Sequence, residues 1–356
     1  TGQAVYDVRP ADRNCRLRTG LKVEKDRLES GEYRVKINKS GDIAAVYDKD
    51  LRRNILEKSL RLELLRTAPA EWPAWTIVYR DVKRPPRAVV KGPARVRIIE
   101  KGPLRVSLEI RREFEGSVIV QTIRLTAGSK RVEIHNKLLW KTPGTMLKAA
   151  FPLAASNKRA MYDIGAGVIE RGNNKKKLYE VPALGWASID DKNRAFGVAV
   201  LSDSKHGWDK PVDNVLRHTL VHSPEMTGFR CFIAGANFVD HFEDQAHIDF
   251  GRHQFGYAIT SYEGRWCDAS LSNTAECFNH RLTTFQGVKS NGFLGRSFGF
   301  AKSLQPSVSI RAIKKAEETD EIVVRLQETR GKTIADAEVE FAANVVEARE
   351  INGMEE

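Results

Sequence analysis

The chain has 356 residues, a formal net charge of +12, 41% apolar residues and 29% charged residues, a balance typical of a soluble globular protein. It contains no run of about 18 apolar residues, which excludes a membrane-spanning helix, so we expect no membrane partner. A chain of this length predicts two domains, or one large β domain with a smaller one attached.

The positive charge makes nucleic acid the first partner to consider. Basic residues nevertheless alternate with acids along predicted strands, and only Lys175-Lys176-Lys177 forms an uninterrupted block. We interpret that block as a solvated loop. A basic β protein that binds nucleic acid is therefore the weakest hypothesis, and no nucleic-acid partner is expected. The four cysteines contain no C-x-x-C pair, which excludes a zinc ribbon.

Residues 1–20 are polar and irregular, and we interpret them as the remnant of an upstream segment. Because Thr1 is not an initiator methionine, we expect an excised fragment, and its compartment stays open. Strand patterns begin at Leu21. Residues 32–37 and 43–47 alternate around a Gly41 turn and predict a hairpin. Residues 87–151 keep a period of two over several strands, which predicts an antiparallel sheet with one buried face.

Aromatic residues are dense just before this sheet, at Trp72, Trp75 and Tyr79. The apolar C–H face of a sugar ring stacks on such side chains, so the cluster is a candidate carbohydrate platform. Rings that fill the core of a sandwich would give the same pattern, and the sequence leaves both interpretations open.

A second candidate site follows a predicted buried strand at Phe196–Leu201. Four polar residues then crowd into a glycine-containing turn: Asp203, Lys205, His206 and Asp209. Function is often carried by loops that follow rigid strands, although a solvated turn has the same composition.

The rest of the chain predicts more strands. Val215–Val221 is a strand, residues 223–246 are a long loop, and a short helix is expected near Thr274–His280. Val308–Ile313 and Ile322–Glu328 predict a hairpin. The predicted domains are residues 21–295, a large β domain, and residues 296–356, a small terminal β domain.

No self-contained catalytic pattern is present. His241, His247 and His253 lack the spacing of a metal site, and no pair of carboxylates stands out as a glycosidase acid and nucleophile. The sequence has no G-x-S-x-G, P-loop or G-x-G-x-x-G motif. We therefore predict no catalytic residue and no metal ligand in this chain.

Five segments, in order, resemble the C-terminal β region of family 38 glycoside hydrolases, the retaining α-mannosidases. They are Glu32–Asp50 (EYRV, GDI and YDKD), Gln121–Ser129 (QTIRL and AGS), Leu147–Leu153 (LKAAFPL), Glu180–Asp209 (EVPA to SDSKHGWD) and Asp249–Ala258. Residues 325–329 also resemble the terminal sandwich of that family. His206 departs from the family pattern, where tyrosine is usual, and residues 225–247 form a longer loop than the pattern leads us to expect.

The resemblance implies an all-β chain: a large antiparallel β-supersandwich of galactose-mutarotase type, plus a small C-terminal β-sandwich domain. It implies that the zinc ligands and the nucleophile lie upstream in a catalytic barrel, so no cofactor is expected in this chain. The implied partners are that barrel and mannose-containing glycans. The candidates near substrate are Trp72, Trp75, Tyr79, Asp203, Lys205, His206 and Asp209. A stand-alone carbohydrate-binding module is the alternative.

Overall fold

A computed structural model describes residues 2–13, 15–70, 72–225, 230–233, 236–239, 248–288 and 292–355. By contacts the chain divides into two compact units, one of Arg16–Trp266 and one of Thr1–Cys15 with Cys267–Glu356. The fold is all-β, as the sequence predicts, and every strand pair among the described residues is antiparallel. Neither helix in the described part has the length and hydrophobicity required to span a bilayer.

The elements in chain order are β1 (Gly2–Ala4), β2 (Lys22–Glu24), β3 (Arg27–Glu29), β4 (Tyr33–Ile37), β5 (Ile43–Asp48), β6 (Arg53–Asn54), β7 (Arg61–Arg66), α1 (Tyr79–Lys83), β8 (Ala88–Val89), β9 (Arg95–Lys101), β10 (Arg105–Phe114), β11 (Ser117–Thr126), β12 (Val132–Trp140), β13 (Thr145–Pro152), β14 (Arg159–Asp163), β15 (Val168–Gly172), β16 (Val181–Pro182), β17 (Trp186–Asp190), β18 (Phe196–Ser202), β19 (Gly207–Val212), β20 (Val215–Ser223), β21 (Arg230–Ile233), β22 (Ala236–Val239), β23 (Gly251–Glu263), α2 (Leu271–Asn279), β24 (Ser297–Gly299), β25 (Ala301–Ser303), β26 (Val308–Lys315), β27 (Ile322–Glu328) and β28 (Val339–Phe341).

The larger unit is built on a nine-stranded sheet with the order β15-β14-β17-β18-β23-β12-β11-β10-β9. Its outer strands alternate as the period of two predicts. β11 alternates over its whole length, and in β10 the partly exposed Glu109 lies between the buried Leu108 and Ile110, whereas β18 is buried throughout. Side chains on a strand point to opposite faces in turn, so this alternation gives the sheet one apolar face.

Two further sheets complete the larger unit, one of six strands in the order β16-β19-β20-β13-β7-β8 and one of five strands in the order β2-β3-β4-β5-β6. A single apolar core joins all three sheets and includes Val35, Leu64, Ile110 and Phe151. The ring of Phe151 meets that of Tyr257 edge-on, with 5.6 Å between centroids. The nine- and six-stranded sheets therefore share one core as a sandwich, consistent with the predicted supersandwich.

The five-stranded sheet is tied to the nine-stranded sheet by buried polar contacts. The Tyr33 hydroxyl lies 2.8 Å from Oγ of Ser261, and Ser261 donates to Oδ2 of the fully buried Asp48 at 2.6 Å. Because each of these buried polar atoms has a partner, their burial does not carry the cost of an unmade hydrogen bond.

The smaller unit holds three strand pairs, β1–β24, β25–β28 and β26–β27. Its helix α2 buries Leu271, Ala275 and Phe278, a spacing of four and three residues that places them on one helical face. The β26–β27 hairpin and the helix near residues 274–280 were both predicted from the sequence.

Most predicted strands are present, including the hairpin of β4 and β5 and the buried strand β18. The prediction of a long loop at residues 223–246 is wrong where the structure describes the segment, because β21 and β22 pair antiparallel within it. Residues 226–229, 234–235 and 240–246 lie outside the described residues. In the sequence, the division between the two compact units falls after Cys15 and after Trp266. The domain boundary expected near residue 295 stays a prediction about the family's domains.

Candidate functional site

The six-stranded sheet has a second face that is turned away from the main core. On β7 and β13 the core-facing residues are Leu62, Leu64 and Leu147. Their neighbours along the strands, Glu63 and Lys148, point to the second face, since side chains alternate. Both are buried all the same. A buried charge requires a partner, which makes this face the first candidate for a site.

A row of six charged side chains crosses the second face, and we call it the charge ladder. Its members are Arg61, Glu63, Arg217, Asp209, Lys148 and Glu180. The row begins on β7, passes through β20, β19 and β13, and ends on the segment before β16. Three cations meet three carboxylates, so the ladder carries no net formal charge.

The centre of the ladder is Asp209. It accepts from Lys148 Nζ at 2.7 Å and from Arg217 Nε at 3.0 Å, and it also accepts from the Asn174 amide at 2.8 Å. Burial by itself raises the pKa of the Asp209 carboxyl, but Lys148 and Arg217 together outweigh burial and hold that pKa below its ordinary value. Asp209 is therefore an ionised structural anchor at neutral pH.

The outer end of the ladder is Glu180, whose carboxylate accepts from Lys148 and from the Thr219 hydroxyl. Glu180 has a backbone φ of 44°, in the left-handed region that a residue other than glycine rarely adopts. Such a conformation costs about 1–3 kcal/mol and persists only where the surroundings enforce it. Here the buried Lys148 and the partly buried Thr219 hold the carboxylate.

An aromatic segment, residues 72–84, covers this face. The rings of Trp72 and Trp75 are stacked at 5.1 Å with an interplanar angle of 4°, and the Tyr79 ring meets that of Tyr179 at 5.2 Å. Trp72 also has a positive φ of 50°. The side chain of Trp75 is 80% exposed, so it presents an indole to solvent.

The aromatic segment and the charge ladder are joined by two contacts. Arg217 Nη2 donates to the Val82 carbonyl of α1 at 3.0 Å. The Tyr179 hydroxyl donates to the Ile77 carbonyl at 2.8 Å, and Tyr179 directly precedes Glu180. A small apolar cluster that contains Val82 also packs beneath the segment. These contacts hold α1 and Ile77, the C-terminal part of the segment, against the sheet.

Among the seven candidates, Asp209 lies in the ladder and Tyr79 contacts Tyr179 beside it, while Trp72 and Trp75 stack on each other in the segment that leads into α1. The other three lie on the turn between β18 and β19. The backbone N–H of Asp203 donates to the Gly256 carbonyl at 3.2 Å and the His206 carbonyl accepts from Ala183 at 3.0 Å, while the Lys205 ammonium lies 5.3 Å from the Phe255 ring centroid. These contacts fix the turn against β23. Whether any of the seven touches a substrate stays a prediction.

The interior of the larger unit contains a second polar cluster around the buried Arg112. Arg112 donates to Asp42 Oδ1 at 2.7 Å, and Gln121 donates to the Tyr257 hydroxyl at 3.0 Å. Burial outweighs Arg112 and raises the pKa of Asp42. The cavity beside this cluster has a volume of about 10 Å³, which is enough for one water molecule. It is far too small for a sugar.

A metal centre was considered for the three histidines at 241, 247 and 253. His241 and His247 lie outside the described residues, and His253 Nε2 is 2.7 Å from the Asp249 carbonyl. Within the described part of the chain no three His, Cys, Asp or Glu side chains are grouped to hold a metal ion. The expectation of zinc in an upstream domain stays a prediction.

Sequence reasoning missed Glu63, Lys148 and Arg217 as members of the site. A signal existed for two of them, because Glu63 and Lys148 are single charges inside the apolar runs Leu62–Leu65 and Leu147–Phe151. Charged residues are almost never fully buried unless they are paired. A charge within a buried strand therefore predicts a partner, but the sequence does not identify that partner.

Comparison with protein families gives two matches. The "Glycosyl hydrolases family 38 C-terminal domain" matches residues 28–227, and the "Glycosyl hydrolases family 38 C-terminal beta sandwich domain" matches residues 307–356. The first match covers more than half of the chain and includes the whole charge ladder.

Individual relatives agree with these matches. The chain is 25% identical over 313 residues to Alpha-mannosidase G of Dictyostelium discoideum, covering 83% of this chain and 26% of that protein. It is 25% identical over 320 residues to Alpha-mannosidase 2C1 of Homo sapiens, covering 86% of this chain and 28% of that protein. The chain thus spans about a quarter of the length of these relatives. The crystal structure of an alpha-mannosidase from Enterococcus faecalis V583 superposes with a TM-score of 0.74 at 15% identity, covering 90% of this chain and 39% of that chain, a likeness that shows the fold.

Proposed function

This chain belongs to the C-terminal domains of glycosyl hydrolase family 38, and on that premise we propose that it is the non-catalytic β portion of an α-mannosidase-like glycosidase. In this role it supports an upstream catalytic domain and shapes the edge of the carbohydrate site. The observation that carries the proposal is that the family matches cover most of a chain that spans only about a quarter of its curated relatives.

The charge ladder supports a structural role. A retaining glycosidase uses two carboxyl groups, one as nucleophile and one as acid and base. Asp209 and Glu180 are both engaged by Lys148, and Asp209 is further held by Arg217. Carboxylates paired in this way position a surface and are poorly placed to attack a sugar carbon.

The aromatic segment supports the second part of the proposal, that the chain shapes the edge of the carbohydrate site. Trp75 presents an exposed indole that is stiffened from behind by Trp72, and rigid aromatic faces bind the apolar faces of sugars with little loss of conformational freedom. We assign Trp72, Trp75 and Tyr79 to the rim of the carbohydrate site. Asp203, Lys205 and His206 are a second, separate rim candidate on the β18–β19 turn.

The metal of the intact enzyme belongs to this proposal as an expectation for the upstream domain. A divalent ion there would polarise and orient the sugar. The described residues of this chain offer no grouped ligand set for it, so no step of the reaction is assigned to residues of this chain.

The proposal is tested with the longer protein that carries this chain. We expect that protein to hydrolyse a terminal α-mannoside, and we expect deletion of residues 16–356 to abolish turnover and lower the yield of soluble protein. If the deleted protein kept full activity and solubility, the supporting role would be wrong. If calorimetry on the isolated chain showed tight mannose binding, the alternative of a stand-alone binding module would be preferred.

A further inference from the structure

The lysine block of the sequence, Lys175–Lys177, lies at a tight turn that is anchored to the charge ladder. Lys175 and Leu178 exchange two backbone hydrogen bonds of 2.9 Å, so the other two lysines form the tip of a two-residue turn. All three lysines are exposed. Asn174, directly before the block, donates from its side chain to Asp209 Oδ2 at 2.8 Å. We call residues 174–178 the lysine turn.

A second group of basic residues lies on α1 and on the residue that caps it. Arg80, Lys83 and Arg84 are exposed, and their spacing of three and four residues places them on one side of the helical turn. Val82 is buried on the opposite side, and its carbonyl accepts from Nη2 of Arg217 at 3.0 Å. We call the three basic side chains the helix patch.

One buried ion pair joins the lysine turn to the helix patch. Arg217 binds the backbone of α1 and also donates from Nε to Asp209 Oδ2 at 3.0 Å, while Asp209 binds the lysine turn. A second link is the contact of Tyr79, the first residue of α1, with Tyr179, which directly follows the lysine turn; their ring centroids are 5.2 Å apart. The two basic groups are therefore held side by side by rigid contacts.

The charges of these two groups are largely uncompensated. The charge ladder has equal numbers of cations and carboxylates and does not neutralise them. Asp81 is the only acid in residues 72–87, and its Oδ1 lies 3.6 Å from Nε of Arg80. Within the part of the chain that the structure describes, no carboxylate forms an ion pair with Lys83, with Arg84 or with the lysine turn. This edge of the larger unit is therefore a concentrated positive surface.

We propose that the lysine turn and the helix patch bind the phosphoryl group of a phosphorylated mannoside, with Trp75 as the stacking face for the sugar. This inference rests on the proposed function for the identity of the sugar, and it narrows the substrate class of that same rim. Trp75 is 80% exposed and precedes Arg80 by five residues, which limits their separation to about 18 Å. The indole and the cations thus lie within reach of one short oligosaccharide.

The chemistry of the cations favours a phosphoryl group. A phosphate monoester carries close to two negative charges at neutral pH and presents three acceptor oxygens. The guanidinium of Arg84 can bind two of these oxygens at once, and the ammonium of Lys83 supplies a compact point charge. A neutral sugar would use none of these charges.

The distribution of charge favours a small anion over a nucleic acid. A nucleic-acid surface requires a basic stripe that follows several successive phosphates. The basic residues on the strands of the nine-stranded sheet are instead paired with acids, as in Arg97–Glu109, Arg105–Glu100 and Arg111–Glu113. The uncompensated charge is confined to the lysine turn and the helix patch, which suits one phosphoryl group.

Calorimetric titration of the 356-residue chain tests the proposal with mannose 6-phosphate, mannose and inorganic phosphate. We expect mannose 6-phosphate to bind about tenfold or more tightly than mannose, and to weaken severalfold when salt rises from about 50 mM to about 300 mM, because exposed charges are screened. Equal affinity for the two sugars would overturn the proposal. Inorganic phosphate that binds as tightly as mannose 6-phosphate, or a short oligonucleotide that binds more tightly, would overturn the assignment to a sugar.

Charge-removing variants locate the site. Lys83→Gln with Arg84→Gln, and separately Lys176→Gln with Lys177→Gln, should each weaken mannose 6-phosphate about fivefold, because each pair removes two of the cations that face the phosphoryl group. The four side chains are exposed, so the melting temperature should not change. Wild-type affinity in both double variants would overturn the site.

A matched control separates this site from the general positive charge of the chain. Lys137→Gln with Lys192→Gln also removes two exposed cations of the larger unit, one on β12 and one in the turn between β17 and β18. This control should keep the affinity for mannose 6-phosphate within about twofold, since screening limits the influence of distant surface charges. An equal loss in the control and in the two test variants would overturn the proposed location.

Trp75→Ala separates the sugar from the phosphoryl group. The variant should weaken mannose 6-phosphate about two- to tenfold through loss of the stacking face, and it should leave the affinity for inorganic phosphate unchanged. An unchanged affinity for mannose 6-phosphate would overturn the placement of the sugar on Trp75.

The outcomes separate this inference from the proposed function. Activity of the longer protein toward a neutral α-mannoside reports the glycosidase function, and titration of the chain reports the phosphoryl site. An active longer protein whose chain does not distinguish mannose 6-phosphate from mannose would overturn only the inference. A chain with the expected preference, within an inactive longer protein, would overturn only the glycosidase proposal.

Discussion

Lys148 on β13 donates from Nζ to Oδ1 of Asp209 on β19 at 2.7 Å, although both side chains are completely buried. The two strands are not neighbours, since β20 lies between them. Arg217 of β20 fills the gap and binds the same carboxylate. This pair ties three strands together on the face that carries the aromatic segment.

Removal of the Lys148 charge should destabilise the larger unit strongly. Lys148→Met leaves Asp209 and Glu180 close together in a buried site, and the loss of one partner of a buried ion pair costs about 3–5 kcal/mol. The free energy of unfolding, measured with urea, should fall by that amount. Lys137→Met is a matched control, because Lys137 lies in the middle of β12 and is exposed; it should change stability by less than about 0.5 kcal/mol.

A second substitution identifies the cause of that loss. Adding Glu180→Gln to Lys148→Met removes the charge of one of the two carboxylates that lost the Lys148 ammonium, so the double variant should be more stable than the sum of the single losses predicts. Simple additivity would mean that Glu180 and Lys148 act independently, which would contradict the charge ladder.

The larger unit should lose stability in mild acid because of His218. This ring is stacked on Trp208 with 4.0 Å between centroids, and burial lowers its pKa to about 3. The unfolded state takes up the proton near pH 6.5, so stability falls as the pH drops from about 6.5 toward 3. Between pH 7 and pH 5, proton uptake by His218 in the unfolded state lowers the free energy of unfolding by about 2 kcal/mol.

The measurement for His218 is urea unfolding of the wild type and of His218→Gln at both pH values. The variant should lose about 2 kcal/mol less than the wild type over this interval. His222, whose pKa burial lowers to about 4, keeps its own contribution in both proteins. Identical losses in the two proteins would show that His218 is not held neutral.

Gly197 of β18 should not tolerate a methyl group. A Cβ at this position would lie 2.3 Å from the Tyr262 ring, and that ring is held by a 2.7 Å hydrogen bond from its hydroxyl to Asp190. Overpacking of this kind costs about 1–3 kcal/mol, so Gly197→Ala should lower the melting temperature. Gly167→Ala is the control, since no atom lies within 4 Å of its Cβ position, and it should be close to neutral. Equal effects would contradict the tight packing of Tyr262.

Trp75→Ala should affect carbohydrate recognition in the longer protein and leave stability almost unchanged, because the side chain is 80% exposed. Loss of one stacking face is worth about 0.5–1.5 kcal/mol, so KM for a mannose oligosaccharide should rise about two- to tenfold. Phe285→Ala, at an 87% exposed aromatic residue, is the control. An unchanged KM in both variants would remove Trp75 from the rim.

Local patterns in the sequence were sufficient to predict much of the fold. Alternation at Val106, Leu108 and Ile110 predicts β10, and the Gly41 turn predicts the β4–β5 hairpin, because both depend on residues close in sequence. The β21–β22 hairpin was missed because its two strands have four residues each, too few for a period of two to stand out. The glycine between them in the sequence was the available signal.

The sequence predicted some residues of the candidate site but not the partners that hold them. The aromatic residues and Asp209 were identified by type and density, but the partners of Asp209 lie 61 residues before it at Lys148 and eight residues after it at Arg217. Such pairing depends on strand order in the sheet, which one sequence does not reveal. The sequence placed Asp209 in a glycine-containing turn, and the structure corrects that by placing it, fully buried, within β19.

The central claim is that this chain positions and supports a catalytic domain and carries out no hydrolysis itself. The most direct test is the release of mannose from a terminal α-mannoside by the purified 356-residue chain, assayed with added zinc under conditions in which the longer protein turns over. We expect a rate equal to that of buffer for the chain alone. Sustained turnover by the chain would contradict this expectation if Asp209→Asn abolished the turnover and a control variant of equal thermal stability kept it.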